Sequence, residues 1–339
     1  MPAGSRFGHD AGVLFLSRSD VERLLDLERL IDAVADAMKD LSAGRASMPP
    51  RTAATIASRD AFLGVMPAYL EGSSVLASKL VSVFPRNGAA GLPSHHAVVV
   101  VFDATTGVPE ALMDGEHITA MRTAACSALS ARLLAREDAS RLAILATGVQ
   151  GRSHGVMLPM VRSFSSGTVA GRDAGKAKRL ADELTAATGV PFSGTSSFEE
   201  AAEGADVVCV ATLAAEPVLR RAWLAPGAHV ISVGVNPAGR EIDEDTVRDA
   251  LVVVESREST LAPAPVGAND VAWPVRDGVL DPADVVEIGE LVAGTRAGRT
   301  SPEQLTLYKS AGVAVQDAAA AALVLAEARR QGAGTELAL

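Results

Sequence analysis

The sequence predicts an α/β protein in which a doubly wound domain is inserted into a strand-rich α+β domain. Three observations carry that expectation. Residues 61–70, 75–84 and 96–102 are apolar runs separated only by turn-forming segments, the pattern of neighbouring strands in one sheet. From residue 142 the rhythm changes to strand, helix, strand, with buried-type runs at 142–146, 167–170, 206–211, 229–233 and 251–254. That alternation belongs to a doubly wound, largely parallel sheet. The chain closes with an Ala-rich helical stretch at 310–330, expected to return to the first domain. The boundaries that follow are 1–128 with 303–339 for the outer domain and 129–302 for the inserted one.

Residues 1–12 read as disordered and 13–16 as a short strand. Ser19-Asp20-Val21-Glu22 is a capping box opening a short helix, and helical spacing over 27–41 stops at Gly44. Met48-Pro49-Pro50-Arg51 is extended, because a residue before proline avoids the helical region. The turn 103–107 leads into a strand at 108–113. Thr119 reads as the N-cap of an Ala- and Leu-rich helix through Ala135. After the strand 142–146 come a helix to about Val161 and another over 174–184. Residues 258–301 mix Pro, Gly and acids and give no assignable element.

Composition narrows the function classes. Apolar residues make up 48% of the 339, with 4% aromatic, so the core is packed with Ala, Val and Leu. Lys plus Arg is 31 against 41 for Asp plus Glu, a net charge of −10. An acidic chain without a basic stripe argues against nucleic acid as a partner. A few local arginines can still capture a carboxylate. Cys126 and Cys209 lie in apolar runs and read as reduced, buried thiols of a cytoplasmic protein. No leader and no membrane segment is expected. The histidines show no metal-ligand spacing; His95 and His96, adjacent in a strand, point to opposite faces.

The chemistry concentrates at a turn and at three cations. Ala146-Thr147-Gly148-Val149-Gln150-Gly151 is A-x-G-x-x-G, one residue short of the dinucleotide-binding turn, with a strand before it and a helix after. The next strand ends in Ala170-Gly171-Arg172-Asp173. A ribose with a free 2′-hydroxyl asks for an acid at that tip, whereas a guanidinium suits a 2′-phosphate. Asp173 comes one step late, and Lys176 adds charge if it faces the same pocket. NADP(H) is therefore favoured, with NAD(H) the alternative. Arg51, Lys79 and Arg122 each sit in or beside an apolar run, where an unpaired charge is costly. Arg122 lies near the expected start of its helix, where amides and a guanidinium together favour an anion. Lys79 snorkelling from a strand edge and Arg51 as a loop residue are the alternatives.

The chain resembles the ornithine cyclodeaminase/mu-crystallin family from about Val13 to Gly334. The motifs are AFLGVMPAY, SKLVSVFPRN, GLPSHH, LMDGEHITAMRTAACSA, ATGVQ, VATLAAEPVL, WLAPGAHVISVG and TLYKSAGVAVQD. It is most similar to the mu-crystallin, ketimine reductase and amino-acid dehydrogenase branch. The resemblance implies a Rossmann domain inserted into a strand-rich domain that binds substrate and makes a homodimer. It implies that Arg51, Lys79 and Arg122 surround the substrate, with Asn236 and Ala311 beside them. It also implies that Ser94, His95, Arg122, Val149, Gln150, Arg172, Thr212, Val233, Arg240 and Ser310 touch the cofactor. Thr147, Gly148, Gly171, Asp173, Lys176 and Leu213 adjoin those positions and are included with them.

The departures favour one activity within the family. The cyclodeaminase pattern has a glutamate before the Met-Pro pair, an aspartate after the Val-Gly of the last Rossmann strand, and an aspartate before the terminal Ser-x-Gly. This chain has Gly64, Asn236 and Lys309 there. Cyclodeamination must move protons on two nitrogens, and carboxylates serve that need. Reduction of an imino acid asks for a hydride and one proton. The expected activity is an NAD(P)H-dependent imine reductase or related amino-acid dehydrogenase. A cyclodeaminase-type lyase using bound NAD and a non-catalytic NADPH-dependent ligand-binding protein are the alternatives.

Overall fold

The computed structural model describes residues 12–264 and 266–338. Of the segment 1–12 read as disordered, all but Gly12 lies outside the described residues. The strands are β1 (Val13–Leu16), β2 (Ala46–Ser47), β3 (Thr52–Ile56), β4 (Ala61–Leu70), β5 (Val75–Val83), β6 (His95–Asp103), β7 (Pro109–Asp114), β8 (Arg141–Leu145), β9 (Ser166–Ala170), β10 (Phe192–Thr195), β11 (Val207–Val210), β12 (His229–Ser232), β13 (Leu251–Val254), β14 (Val286–Glu287), β15 (Thr306–Lys309) and β16 (Thr335–Leu337). The helices are α1 (Arg18–Leu24), α2 (Leu27–Ser42), α3 (Gly115–Leu134), α4 (Val149–Met157), α5 (Ala174–Thr188), α6 (Phe198–Ala202), α7 (Glu244–Asp249), α8 (Arg257–Leu261), α9 (Asn269–Arg276), α10 (Ile288–Val292) and α11 (Ala314–Gln331).

The first sheet runs β16-β1-β7-β6-β5-β4-β2, with β3 also paired to β4. Its strands pair antiparallel except β1 with β7. The three apolar runs expected to be neighbours are β4, β5 and β6. Strand alternation turns Met66, Ala68 and Leu70 of β4, with Ala77 and Lys79 of β5, toward the helices. It leaves Leu63 (45% exposed) and Val98 (38%) on the opposite face.

The second sheet is parallel throughout, in the order β10-β9-β8-β11-β12-β15-β13-β14. The chain grows outward from β8 through β9 to β10, then crosses to β11 on the other side. The switch point therefore lies between β8 and β11, where an open α/β sheet offers a crevice at its strand ends. Helix α3 joins the two sheets. Its small residues, including Ala120, Ala124, Ala128 and Ala131, are buried almost all round, and one apolar cluster runs through it from β4 to β8.

Several elements differ from expectation. The capping box sits at Ser17 and Asp20, two residues earlier than read. Helix α3 is capped by Asp114, whose side chain accepts from the His117 amide. Thr119 lies inside the helix, its hydroxyl donating to the Gly115 carbonyl at 2.7 Å, so Arg122 is not near the helix start. The segment 306–309 is strand β15, paired between β12 and β13 in the second sheet, and α11 begins only at Ala314. Residues 258–301 contain α9, α10 and β14 together with most of α8. Among the described residues no helix is long and apolar enough to cross a membrane.

Candidate functional site

The turn after β8 is shaped by close approach. A Cβ on Gly151 would lie 2.6 Å from the Ala146 carbonyl oxygen, so only glycine lets α4 pack this tightly on the strand. Gly148 is the N-cap of α4 and no side chain caps the helix, which leaves its first amides open to an anion. Ala146, where the turn consensus has glycine, is 6% exposed. Thr147 packs against the end of β9: a Cβ on Gly171 would meet its Cγ2 at 2.5 Å. Arg172 follows, exposed. Asp173 spends one carboxylate oxygen capping α5, accepting from the Lys176 amide at 3.0 Å. The Lys176 side chain is exposed.

The facing side of the crevice is made after β11 and β12. Thr212 and Leu213 follow β11, and Val233, Asn236 and Arg240 follow β12. Asn236 Nδ2 donates to the Leu213 carbonyl at 2.9 Å, tying the two loops. Arg240 pairs with Glu244 of α7 at 3.2 Å. Val149 (67% exposed) and Leu213 (73%) are left as open apolar surface at the crevice. The Gln150 side-chain oxygen is buried and has no hydrogen bond among the described residues. Open amides, a glycine-dependent close approach and uncovered apolar walls fit a dinucleotide here.

The three cations converge on the first turn of α11 and the segment just before it. Period-two alternation sends Lys79 inward from β5, where its Nζ lies 3.0 Å from Asp317 Oδ1 and 2.9 Å from Oδ2. It also donates to the Thr119 hydroxyl at 3.3 Å. Arg122 of α3 donates through Nε to Asp317 Oδ1 at 3.0 Å and through Nη1 to Gln316 Oε1 at 2.8 Å. Arg51 reaches over from the segment before β3 and donates to the Ala311 and Gly312 carbonyls, both at 2.9 Å. Gly312 has φ +74 and lies against the Arg122 guanidinium, where a Cβ would be 3.0 Å from Nη1. A side chain there would be strained and would crowd the cation.

Burial and charge set the protonation of this cluster. Burial pushes the Lys79 ammonium down to about 8; Asp317 works against that, and Arg122 with it. Asp317 is itself opposed by burial but held below the ordinary carboxylate range by Arg122 and Lys79. Burial likewise opposes the Arg122 charge, and Asp317 and Glu255 raise it overall. Glu255, at the end of β13, accepts from Tyr308 Oη, Ser310 Oγ and Gln316 Nε2 on one oxygen, and from the Ala311 and Gly312 amides on the other. Ser310 and Ala311 are thus fixed by Glu255, and Ala311 in turn holds Arg51. Near His95, at the start of β6, the Ser94 hydroxyl and His95 Nδ1 are 2.9 Å apart.

Sequence reasoning did not single out Asp317, Gln316 or Glu255. A signal existed for two of them. Asp317 is an acid in the first turn of an otherwise Ala-rich buried helix, and Glu255 closes the apolar run Leu251–Val254. Each stands where a charge needs a partner.

Comparison with known proteins agrees with this architecture. The family model for the ornithine cyclodeaminase/mu-crystallin family matches residues 12–332. Ketimine reductase mu-crystallin of Mus musculus is 36% identical over 91% of this chain and 96% of its own length. Among solved structures, Thermococcus litoralis Δ1-pyrroline-2-carboxylate reductase in complex with NADH and L-proline superposes with a TM-score of 0.91. It is 38% identical and covers 96% of this chain and 100% of its own. An archaeal alanine dehydrogenase dimer with bound NAD gives a TM-score of 0.88 at 29% identity, covering 96% of this chain and 98% of its own. The chain belongs to the ornithine cyclodeaminase/mu-crystallin family.

Proposed function

We propose that this chain is a nicotinamide-dependent reductase of imino acids, acting on a C=N bond whose α-carboxylate is held by Arg51 and Arg122. The observation that carries this reading is a charge count. Three cations, Arg51, Lys79 and Arg122, gather around two carboxylates, Asp317 and Glu255, so one positive charge is left for an anion. Arg122 Nη2 and Arg51 Nη1 have no hydrogen bond among the described residues, and Asp317 and Thr119 engage two of the three Lys79 N–H groups. The free donors suit a carboxylate and an adjacent imine nitrogen.

Arg51 and Arg122 fix the carboxylate and with it the orientation of the neighbouring carbon. The nicotinamide, when bound, supplies the hydride. Lys79 donates its proton to the imine nitrogen, being protonated below about 8 and readily deprotonated above it. Asp317 keeps that ammonium charged in a dry setting and orients it. Gly64 and Asn236 stand where the cyclodeaminase pattern has acids, which favours reduction over a reaction that needs a second proton relay. The names and ligands of the relatives support the same reading.

For the cofactor we favour NADPH over NADH. Arg172 stands alone at the tip of β9, and Asp173 is committed to capping α5. The protein is proposed to be a cytoplasmic homodimer, with a second copy covering the face of the first sheet that bears Leu63 and Val98; light scattering showing a monomer at micromolar concentration would contradict it. The catalytic reading is tested by absorbance at the reduced-nicotinamide band, with cyclic imino acids and with 2-oxo acids plus ammonia or methylamine. Loss of absorbance with carboxylate-bearing imines supports it. No turnover with any of them overturns it.

A further inference from the structure

Lys309 ends β15 between β12 and β13, opposite Ser232 and Val254 in register, and is completely buried. A buried ammonium requires partners. Its Nζ lies 3.0 Å from Asp270 Oδ2 and 3.8 Å from Glu241 Oε1, and donates to Ser232 Oγ at 2.9 Å and to the Gly234 carbonyl. Glu241 completes the arrangement. One of its oxygens accepts from the Gly234 amide at 2.7 Å and from Ser232 Oγ at 2.8 Å, the other from the Thr212 amide at 2.8 Å and the Thr212 hydroxyl at 3.0 Å. Asp270 accepts from the amides of Glu241 and Ile242 at 2.8 and 3.2 Å, which fixes the segment carrying Glu241. Gly234 is tightly enclosed, since a Cβ there would collide with the Thr212 carbonyl.

One buried ion pair therefore grips a single residue twice, Glu241 at its N–H and Lys309 at its carbonyl. We propose that Lys309 and Glu241 are positioning residues for the bound nicotinamide cofactor, holding the loop 233–240 against Thr212 by clamping Gly234 between them. This rests on the reading above that Thr212 and Val233 face the cofactor. Neither charge reaches the crevice; both act through the backbone and Thr212. The cluster holds one cation and two carboxylates, so its charge is −1. Removing the lysine alone leaves two buried carboxylates facing each other, and one must take a proton and surrender part of its grip.

That charge balance suggests a variant that separates clamping from charge. Lys309→Met combined with Asp270→Asn keeps the single negative charge of the cluster but releases the Gly234 carbonyl. Cofactor dissociation constants are measured by fluorescence of NADPH and NADH on the wild type, Lys309→Met and the double variant, each with its melting temperature. The double variant leaves Glu241 without its cation, so it is expected to melt below the wild type yet remain folded, while binding the cofactor roughly tenfold or more weakly. Its Michaelis constant for the cofactor should rise more than its kcat falls. Wild-type affinity in a folded double variant overturns the positioning role and leaves the reductase reading intact. A double variant that does not fold makes Lys309 a requirement of the sheet itself and likewise overturns the role. A wild-type protein that binds neither cofactor overturns both readings.

Discussion

The Lys79 ammonium lies 3.0 Å from one oxygen of Asp317 and 2.9 Å from the other, and both side chains are buried. The pair links β5 of the first sheet to α11. Burial lowers the Lys79 pKa to about 8, and Asp317 opposes that shift. Asp317→Asn removes that support, so the alkaline limb of kcat/KM, set by loss of the Lys79 proton near 8, should move to lower pH. Turnover at neutral pH should drop by roughly tenfold or more. An unchanged pH profile would separate Lys79 from the proton transfer.

Lys79→Met removes the donor altogether. Turnover is expected to fall by roughly a hundredfold, with cofactor binding retained, and the loss should shrink above about pH 8, where the wild-type lysine has itself given up its proton. Direct titration with NADPH checks the retained binding. A variant that loses NADPH affinity along with turnover would place Lys79 in cofactor binding instead.

The two arginines should behave differently because they are anchored differently. Arg51 donates to backbone carbonyls from the rim, so Arg51→Ala is expected chiefly to raise the Michaelis constant for the imine. Arg122 is tied to Asp317 inside the protein, and Arg122→Ala leaves that buried carboxylate with Lys79 alone. Breaking a buried pair in this way costs about 3–5 kcal/mol, so this variant should lose stability as well as activity. Denaturant melts alongside steady-state kinetics distinguish the two; equal stability in both variants would refute the difference.

Much of this fold was legible in the sequence, and the exceptions share a cause. β4, β5, β6 and the parallel strands β8, β9, β11, β12 and β13 announce themselves by local apolar runs. β10 does not, because Phe192-Ser193-Gly194-Thr195 is an edge strand with one large apolar residue. β15 is hidden by ending in a lysine, whose partners Ser232 and Asp270 lie far away in the chain. Thr119 resembled a cap because its hydroxyl does bond the backbone, but as a donor inside the helix. Arg51, Lys79 and Arg122 could be singled out as charges in apolar surroundings. Asp317 could not be paired with them, since 238 residues separate it from Lys79 and no periodicity links such positions.

Cofactor choice should rest on Arg172. The unmodified protein is expected to bind NADPH more tightly than NADH, and Arg172→Ala should erase most of the difference, a factor of about ten to a hundred for a guanidinium–phosphate contact. Equal dissociation constants for the two cofactors in the wild type would sink the assignment.

Two interior histidines predict acid sensitivity. His154 Nδ1 donates to the Gln150 carbonyl at 2.7 Å, which leaves Nε2 to accept from Ser127 Oγ at 2.8 Å. His229 lies between Ser130 and Thr306. Burial lowers their folded values from 6.5 to about 4 and about 3. Between those values and 6.5 the unfolded chain binds more protons, so stability rises with pH there. Their contribution is complete above about 6.5 and is lost as pH falls; by about pH 5 each should have cost roughly 2 kcal/mol. Denaturant unfolding at several pH values checks this, and His154→Asn should flatten the slope. A variant with the wild-type slope would show that the loss has another source.

The central claim is that Lys79, Arg51 and Arg122 serve net reduction of an imino acid. The most direct test counts NADPH oxidised against amino acid formed, with a carboxylate-bearing cyclic imine in one arm and ornithine in the other. One NADPH should be consumed per amino acid produced from the imine, with no conversion of ornithine. Conversion of ornithine to proline and ammonia without net loss of NADPH would contradict it.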